Sequence, residues 1–150
     1  MRIMYVEDNP ANISLLQRIA RMGGHEVINY TSGEMALEKF SQDKPDLVLM
    51  DLQLEGSISG LEVVRILRER GHHTPIIAVT AYAMVGDRER CLAAGCSGYL
   101  SKPLPVSELV ELVQEYELAA RARTLQTRKL GAVAEDETLP ERPTVQPAAK

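Results

Sequence analysis

Asp46-Leu47-Val48-Leu49-Met50-Asp51 sets four consecutive apolar residues between two acids. Four is too short for a buried helix and suits a strand covered on both faces. Such a strand delivers one carboxylate, Asp51, at its carboxyl end. In an open parallel α/β sheet, ligands bind outside that end of the strands. A plainer role for Asp51 is to open a turn, as aspartate often does at strand ends. The rest of the chain decides between the two.

At 150 residues the chain has the size of one domain with a tail. Hydrophobic residues make up 45% and charged residues 25%, a globular balance. A net charge of -4 argues against a general nucleic-acid binder, which needs a basic face. No apolar run is long enough to span a bilayer. The apolar stretch after Met1-Arg2 is too short for a signal peptide, so a cytoplasmic location is expected. Cys91 and Cys96 lack metal-ligand spacing and read as reduced packing residues. His72 and His73 read as solvated turn residues.

Working outward from the central strand, βα units appear on both sides. Ile3 to Val6 is a short strand ending in Glu7-Asp8. Asn9 and Pro10 suit the N-cap and first position of a helix carrying Ile13, Leu16, Ile19 and Ala20, which Gly23-Gly24 ends. Glu26 to Asn29 is a second strand. Thr31-Ser32-Gly33-Glu34 reads as a capping box before Met35, Leu37 and Phe40. After the central strand and a loop, Ser59-Gly60-Leu61-Glu62 is a second box, before Val63, Ile66 and Leu67. Pro75 to Val79 is a fourth strand ending at Thr80. Gly86 to Ala94 is a short polar helix. Gly98-Tyr99-Leu100 is a fifth strand ending at Ser101-Lys102-Pro103. Val106, Leu109, Val110, Val113 and Tyr116 mark a last helix. Five βα units predict parallel strands with crossovers on both faces, a flavodoxin-like doubly wound sheet of order 2-1-3-4-5. The domain is expected over 1–118. A basic helical extension follows over 119–130, with Arg121, Arg123, Arg128 and Lys129. A disordered tail is expected over 131–150, where prolines and acids replace apolar periodicity.

That strand order brings Glu7, Asp8, Asp51, Thr80 and Lys102 to one crevice. Three carboxylates at close quarters raise one another's pKa unless a cation joins them. Hard oxygen ligands with open geometry suit Mg²⁺. A carboxylate in the middle can attack phosphorus and form an aspartyl-phosphate. Phosphoryl transfer is mostly positioning and charge neutralisation, which Lys102 and the Thr80 hydroxyl would supply beside the metal. No general base is needed, because a carboxylate is already ionised.

Val6-Glu7-Asp8-Asn9, Leu49-Met50-Asp51, Val79-Thr80-Ala81 and Tyr99-Leu100-Ser101-Lys102-Pro103 together resemble the receiver domain of two-component response regulators. The likeness covers residues 1 to about 118. Gly86 to Gly95 and Met50 to Leu54 are similar to receivers of hybrid sensor kinases and to stand-alone regulators of the DivK type. The resemblance implies Asp51 as phospho-acceptor. It implies Asp8, Asp51 and the backbone carbonyl of Gln53 as Mg²⁺ ligands, with Glu7 acting through water. It implies Thr80 and Lys102 as phosphoryl sensors, Tyr99 as a switch aromatic, and a cis peptide at Lys102-Pro103. It implies a sensor histidine kinase or histidine phosphotransfer protein as phosphodonor. A downstream protein would bind the face of the fourth helix, fifth strand and fifth helix. Charge and hydropathy give the expectation of no nucleic acid and no membrane insertion, and a homodimer stays open. The protein would assist its own phosphorylation and dephosphorylation without a separate catalytic domain. A phosphoryl group adds roughly -1.5 to -2 of charge, enough to bias a two-state packing of that face.

The chain departs from the family pattern in places. Glu55 stands where proline is common, the loop Glu55 to Ser59 is one residue longer than usual, and Glu7 replaces the commoner aspartate. Tyr82, two residues past Thr80, lies near the mouth of the crevice and is a candidate gate for water. A haloacid-dehalogenase-type phosphatase would carry a second aspartate where this chain has Gln53, which argues against that class. The alternative function is a phosphorylation-independent receiver-fold binding module, which the intact acids and lysine disfavour. The initiator-like Met1 before the first strand favours a complete gene product over a receiver excised from a longer kinase.

Overall fold

The computed structural model describes residues 1–54, 56–81 and 86–145, with the side chains of 131–145 left aside. The expectations for Glu55 and Tyr82 therefore lie outside the described residues. Five strands and five helices alternate. They are β1 (Arg2–Val6), α1 (Pro10–Met22), β2 (Glu26–Tyr30), α2 (Gly33–Asp43), β3 (Leu47–Asp51), α3 (Gly60–Glu69), β4 (Ile76–Thr80), α4 (Asp87–Ala94), β5 (Gly98–Ser101) and α5 (Val106–Val145).

The strands form one parallel sheet in the order β2-β1-β3-β4-β5. This is the doubly wound order expected from the βα alternation. Every residue of β3 and β4 is buried, which is why both read as continuous apolar runs. The edge strand β2 is half-exposed, and its sequence is correspondingly more polar. Met4, Val6, Val48, Met50, Ile76 and Ala78 form one layer of core with Phe40, Val63 and Leu67 from the helices. Cys91 and Cys96 are free thiols buried in that layer. Burial raises both, Cys96 to about 12 with help from Cys91, which leaves them unreactive packing groups. His73 is exposed as expected, but His72 is half-buried, its ring 4.6 Å from that of Phe40.

The helix starts were legible in part. The Asn9 side chain accepts from Ala11 N at 2.9 Å and Asn12 N at 3.2 Å, with Pro10 opening α1. Ser59 Oγ accepts from Glu62 N at 3.3 Å and starts α3. The box expected at Thr31 is corrected. Ser32 is the cap, accepting from Met35 N at 3.3 Å. Glu34 instead turns outward to accept from Ser57 N at 3.3 Å and Ser57 Oγ at 2.9 Å. Those donors in the β3–α3 loop compete for its carboxylate more effectively than the helix's own start. Gly60, the first residue of α3, packs against the acceptor strand. A Cβ there would stand 2.3 Å from the Asp51 carbonyl oxygen, so only glycine lets α3 begin so close.

By its internal contacts the chain separates into Met1–Gln114 and Glu115–Lys150. Within the second unit, Arg121 pairs with Glu117 at 2.8 Å one turn away, and Leu118, Leu125 and Leu130 are exposed. The helix α5 continues past Leu130 to Val145, where the sequence reading places a disordered tail.

Candidate functional site

The four polar strand ends meet as the topology requires. Val6 pairs with Met50, and Asp51 pairs with Val79, so Glu7, Asp51 and Thr80 leave adjacent strands at one level. β5 brings Lys102 to the same edge, where its backbone N donates to the Thr80 carbonyl at 2.7 Å. Glu7, Asp51 and Thr80 are the buried polar side chains among the described residues, each no more than 1% exposed.

Lys102 Nζ lies 2.8 Å from Glu7 Oε1 and 3.1 Å from Asp51 Oδ2. Its amine is thus shared between two acids. Asp51 Oδ1 accepts from the backbone N of Gln53 at 3.0 Å. Oxygens of Glu7, Asp8 and Asp51 lie within 4.8 Å of one another, close enough for one cation to touch all three. The donor set is purely carboxylate oxygen, and Asp8 is half-exposed, so a hard, partly hydrated ion fits.

The two buried acids divide their charge unequally. Glu7 Oε1 accepts from the Tyr5 hydroxyl at 3.1 Å, Asn12 Nδ2 at 3.1 Å and Lys102. Glu7 Oε2 accepts from the backbone N of Asp8 at 3.1 Å and of Asn9 at 3.3 Å. Burial alone would raise Glu7, but hydrogen bonds with Asp51, Lys102 and the Asn9 backbone N hold it down to about 2. Asp51 has fewer donors. Burial, then the hydrogen bond and charge of Glu7, raise it to about 6. The pair therefore keeps its negative charge on Glu7 first and any shared proton on Asp51. Burial works to lower Lys102, but the hydrogen bonds to Glu7 and Asp51 outweigh it, so the amine stays cationic.

Tyr99 is half-buried, pairs with Ala78 and packs against the core layer. The Lys102–Pro103 peptide is cis. The linear reading missed Tyr5 and Asn12 as partners of Glu7. Tyr5 could have been found, because residues two apart on a strand share a face. Asn12 had no such signal, since its reach depends on the angle at which α1 leaves β1. The reading also missed the Gln53 side chain. Its amide nitrogen donates to Thr80 Oγ1 at 2.6 Å, and its carbonyl accepts from Ala81 N at 3.2 Å.

A doubly wound sheet whose carboxyl edge gathers acids, a hydroxyl and a lysine is the architecture of a phosphoryl-handling α/β domain such as a signal receiver. The model of the response regulator receiver domain matches residues 3–114, and the chain belongs to that family, the receivers of two-component systems. It is 44% identical over 116 residues to the polar-differentiation response regulator DivK of Brucella ovis, covering 76% of this chain and 94% of that protein. The receiver domain of the sensor histidine kinase PA1611 from Pseudomonas aeruginosa, solved with a magnesium ion coordinated in its active-site cleft, is 38% identical. The match has a TM-score of 0.68 and covers 77% of this chain and 95% of that one. The BeF3-activated N-terminal receiver domain of RstA from Klebsiella pneumoniae is 28% identical, with a TM-score of 0.71 over 77% of this chain and 97% of that one. No helix among the described residues is long and apolar enough to cross a membrane.

Proposed function

We propose that the protein is a single-domain response regulator that accepts a phosphoryl group on Asp51 with Mg²⁺. The observation that carries this is the buried Asp51 carboxylate, with Glu7 and Asp8 oxygens within 4.8 Å and Lys102 Nζ at 3.1 Å. Asp8, Asp51 and the Gln53 backbone carbonyl would hold the ion, with Glu7 reaching it through water. Bound Mg²⁺ neutralises the phosphoryl oxygens and relieves the repulsion among the acids. Asp51 forms the new O–P bond as the P–N bond of a donor phosphohistidine breaks, and the imidazole leaves. The donor is a sensor histidine kinase or a histidine phosphotransfer protein. Lys102 turns from the resting acids to the phosphoryl oxygens, and the Thr80 hydroxyl donates to another. Tyr99 follows Thr80 inward. Output is protein–protein binding at the face of α4, β5 and the start of α5, where Leu92 and Val106 are exposed apolar residues. The setting is cytoplasmic.

Incubation with acetyl phosphate and Mg²⁺, read by intact mass, tests this. The native chain gains one phosphoryl group, and Asp51→Asn gains none. A gain that persists in Asp51→Asn overturns it, and no gain in the native chain excludes uptake from small donors, leaving transfer from a protein donor.

A further inference from the structure

The side chain of Gln53 has no part in the chemistry so far, yet it is tied at both ends of its amide. It donates to Thr80 Oγ1 at 2.6 Å and accepts from Ala81 N at 3.2 Å. Its backbone N meanwhile donates to Asp51 Oδ1 at 3.0 Å. Asp51 pairs with Val79 in register, so Thr80 and Ala81 are the next residues along the neighbouring strand. Their hydroxyl and N–H therefore border whatever is built on Asp51. A backbone N–H has one hydrogen to give, and that of Ala81 goes to Gln53. Any turn of Thr80 Oγ1 toward a new group on Asp51 breaks the 2.6 Å bond.

We infer that the Gln53 side chain is a latch, a positioning residue that holds Thr80 and Ala81 in the resting arrangement and must open when Asp51 is modified. The inference rests on Asp51 being the phospho-acceptor. The latch has room to open. Gln53 and Thr80 line a cavity of about 190 Å³ with Leu52, Leu61 and Cys91, large enough for a released amide. Gln53 is also exposed, so a freed amide regains hydrogen bonds from water. Opening then costs only the small net value of two such bonds, an amount a phosphoryl group can overcome. The latch thereby sets how readily the site accepts that group. Replacing the side chain leaves the main-chain carbonyl of Gln53 in place.

The test is a titration with Mg²⁺ and beryllofluoride, a phosphoryl mimic, followed by amide NMR. It compares the native chain, Gln53→Met, which keeps the length but neither bond, and Gln53→Glu, which keeps an acceptor for both Ala81 N–H and the Thr80 hydroxyl. Half-saturation falls roughly fivefold to a hundredfold in Gln53→Met, the scale of two net hydrogen bonds. In Gln53→Glu it returns to the native value or above. The Ala81 amide proton moves upfield in Gln53→Met before any ligand is added. Equal or weaker binding by Gln53→Met overturns the latch, and so does an unmoved Ala81 amide. A native chain that binds no beryllofluoride fails the reading of Asp51 instead, whereas the Ala81 amide reports on the latch alone. Thermal midpoints of the three chains separate either result from a folding defect.

Discussion

At the amino ends of β1 and β3, Arg2 meets Glu26 and Asp46 in water; at their carboxyl ends, Glu7 and Asp51 meet Lys102 out of it. The residue types are nearly the same, and β1 and β3 contribute to both ends, joined by Glu26 of β2 at one and by Lys102 after β5 at the other. Arg2 Nε lies 3.3 Å from Glu26 Oε2, with the two side chains 48% and 55% exposed, and Arg2 N donates to Asp46 Oδ2 at 2.8 Å. Water screens that pair, so it holds the sheet edge only weakly. At the other end Glu7 and Asp51 are buried, and the same chemistry produces shifted pKa values, a shared lysine and a crowded carboxylate cluster. An arrangement of crowded carboxylates that a bound cation would relieve marks a candidate site. A pair that costs and contributes little is surface.

Lys102→Met gives the sharpest contrast. It removes the amine shared by Glu7 and Asp51, which on the proposed function would face the phosphoryl oxygens, and phosphoryl uptake from acetyl phosphate slows about 100-fold, the usual loss on removing one preorganised donor. Rates by intact mass check this, and a change under about threefold would place Lys102 among structural residues.

Next is the strain in Asp51. A carboxyl at about 6 in the fold and 3.8 when free binds its proton more tightly in the folded state. The metal-free protein therefore loses stability as pH rises from about 4 to about 6. Asp51→Asn removes that loss and is more stable than the native chain by on the order of 1–2 kcal/mol at pH 8 without Mg²⁺. Glu7 has the opposite sign. Depressed from 4.5 to about 2, it stabilises the fold above pH 4.5, and that contribution disappears as pH falls toward 2. Urea unfolding of both chains at pH 5 and pH 8 measures the difference, and Mg²⁺ narrows it.

The smallest effect belongs to the other end. Arg2→Ala changes stability by less than about 1 kcal/mol and loses what effect it has in 0.5 M salt. Phosphoryl uptake is unchanged. A larger, salt-resistant loss would erase the distinction between the two ends.

How far the sequence carried this picture follows the same physics. Strands β3 and β4 were legible because burial on both faces leaves an unbroken apolar run, and the strand order followed from parallel connections. The convergence of Glu7, Asp8, Asp51, Thr80 and Lys102 was legible because each closes a strand, so topology alone brought them together. The partners of those residues were mostly hidden. Asn12 reaches Glu7, Glu34 reaches Ser57, and Gln53 reaches Thr80 through rotamers and loop paths that no spacing encodes. Helix starts at Asn9 and Ser59 were readable from one side chain, whereas Thr31 lost to Ser32 because two adjacent hydroxyl residues compete for one cap.

Mapping the modified residue tests the central claim most directly. The native chain is incubated with acetyl phosphate and Mg²⁺, reduced with borohydride to convert an acyl phosphate to an alcohol, digested and sequenced by mass. The account predicts reduction at Asp51 alone, lost when Mg²⁺ is omitted. Reduction at Glu7, Asp8 or any other acid would contradict it.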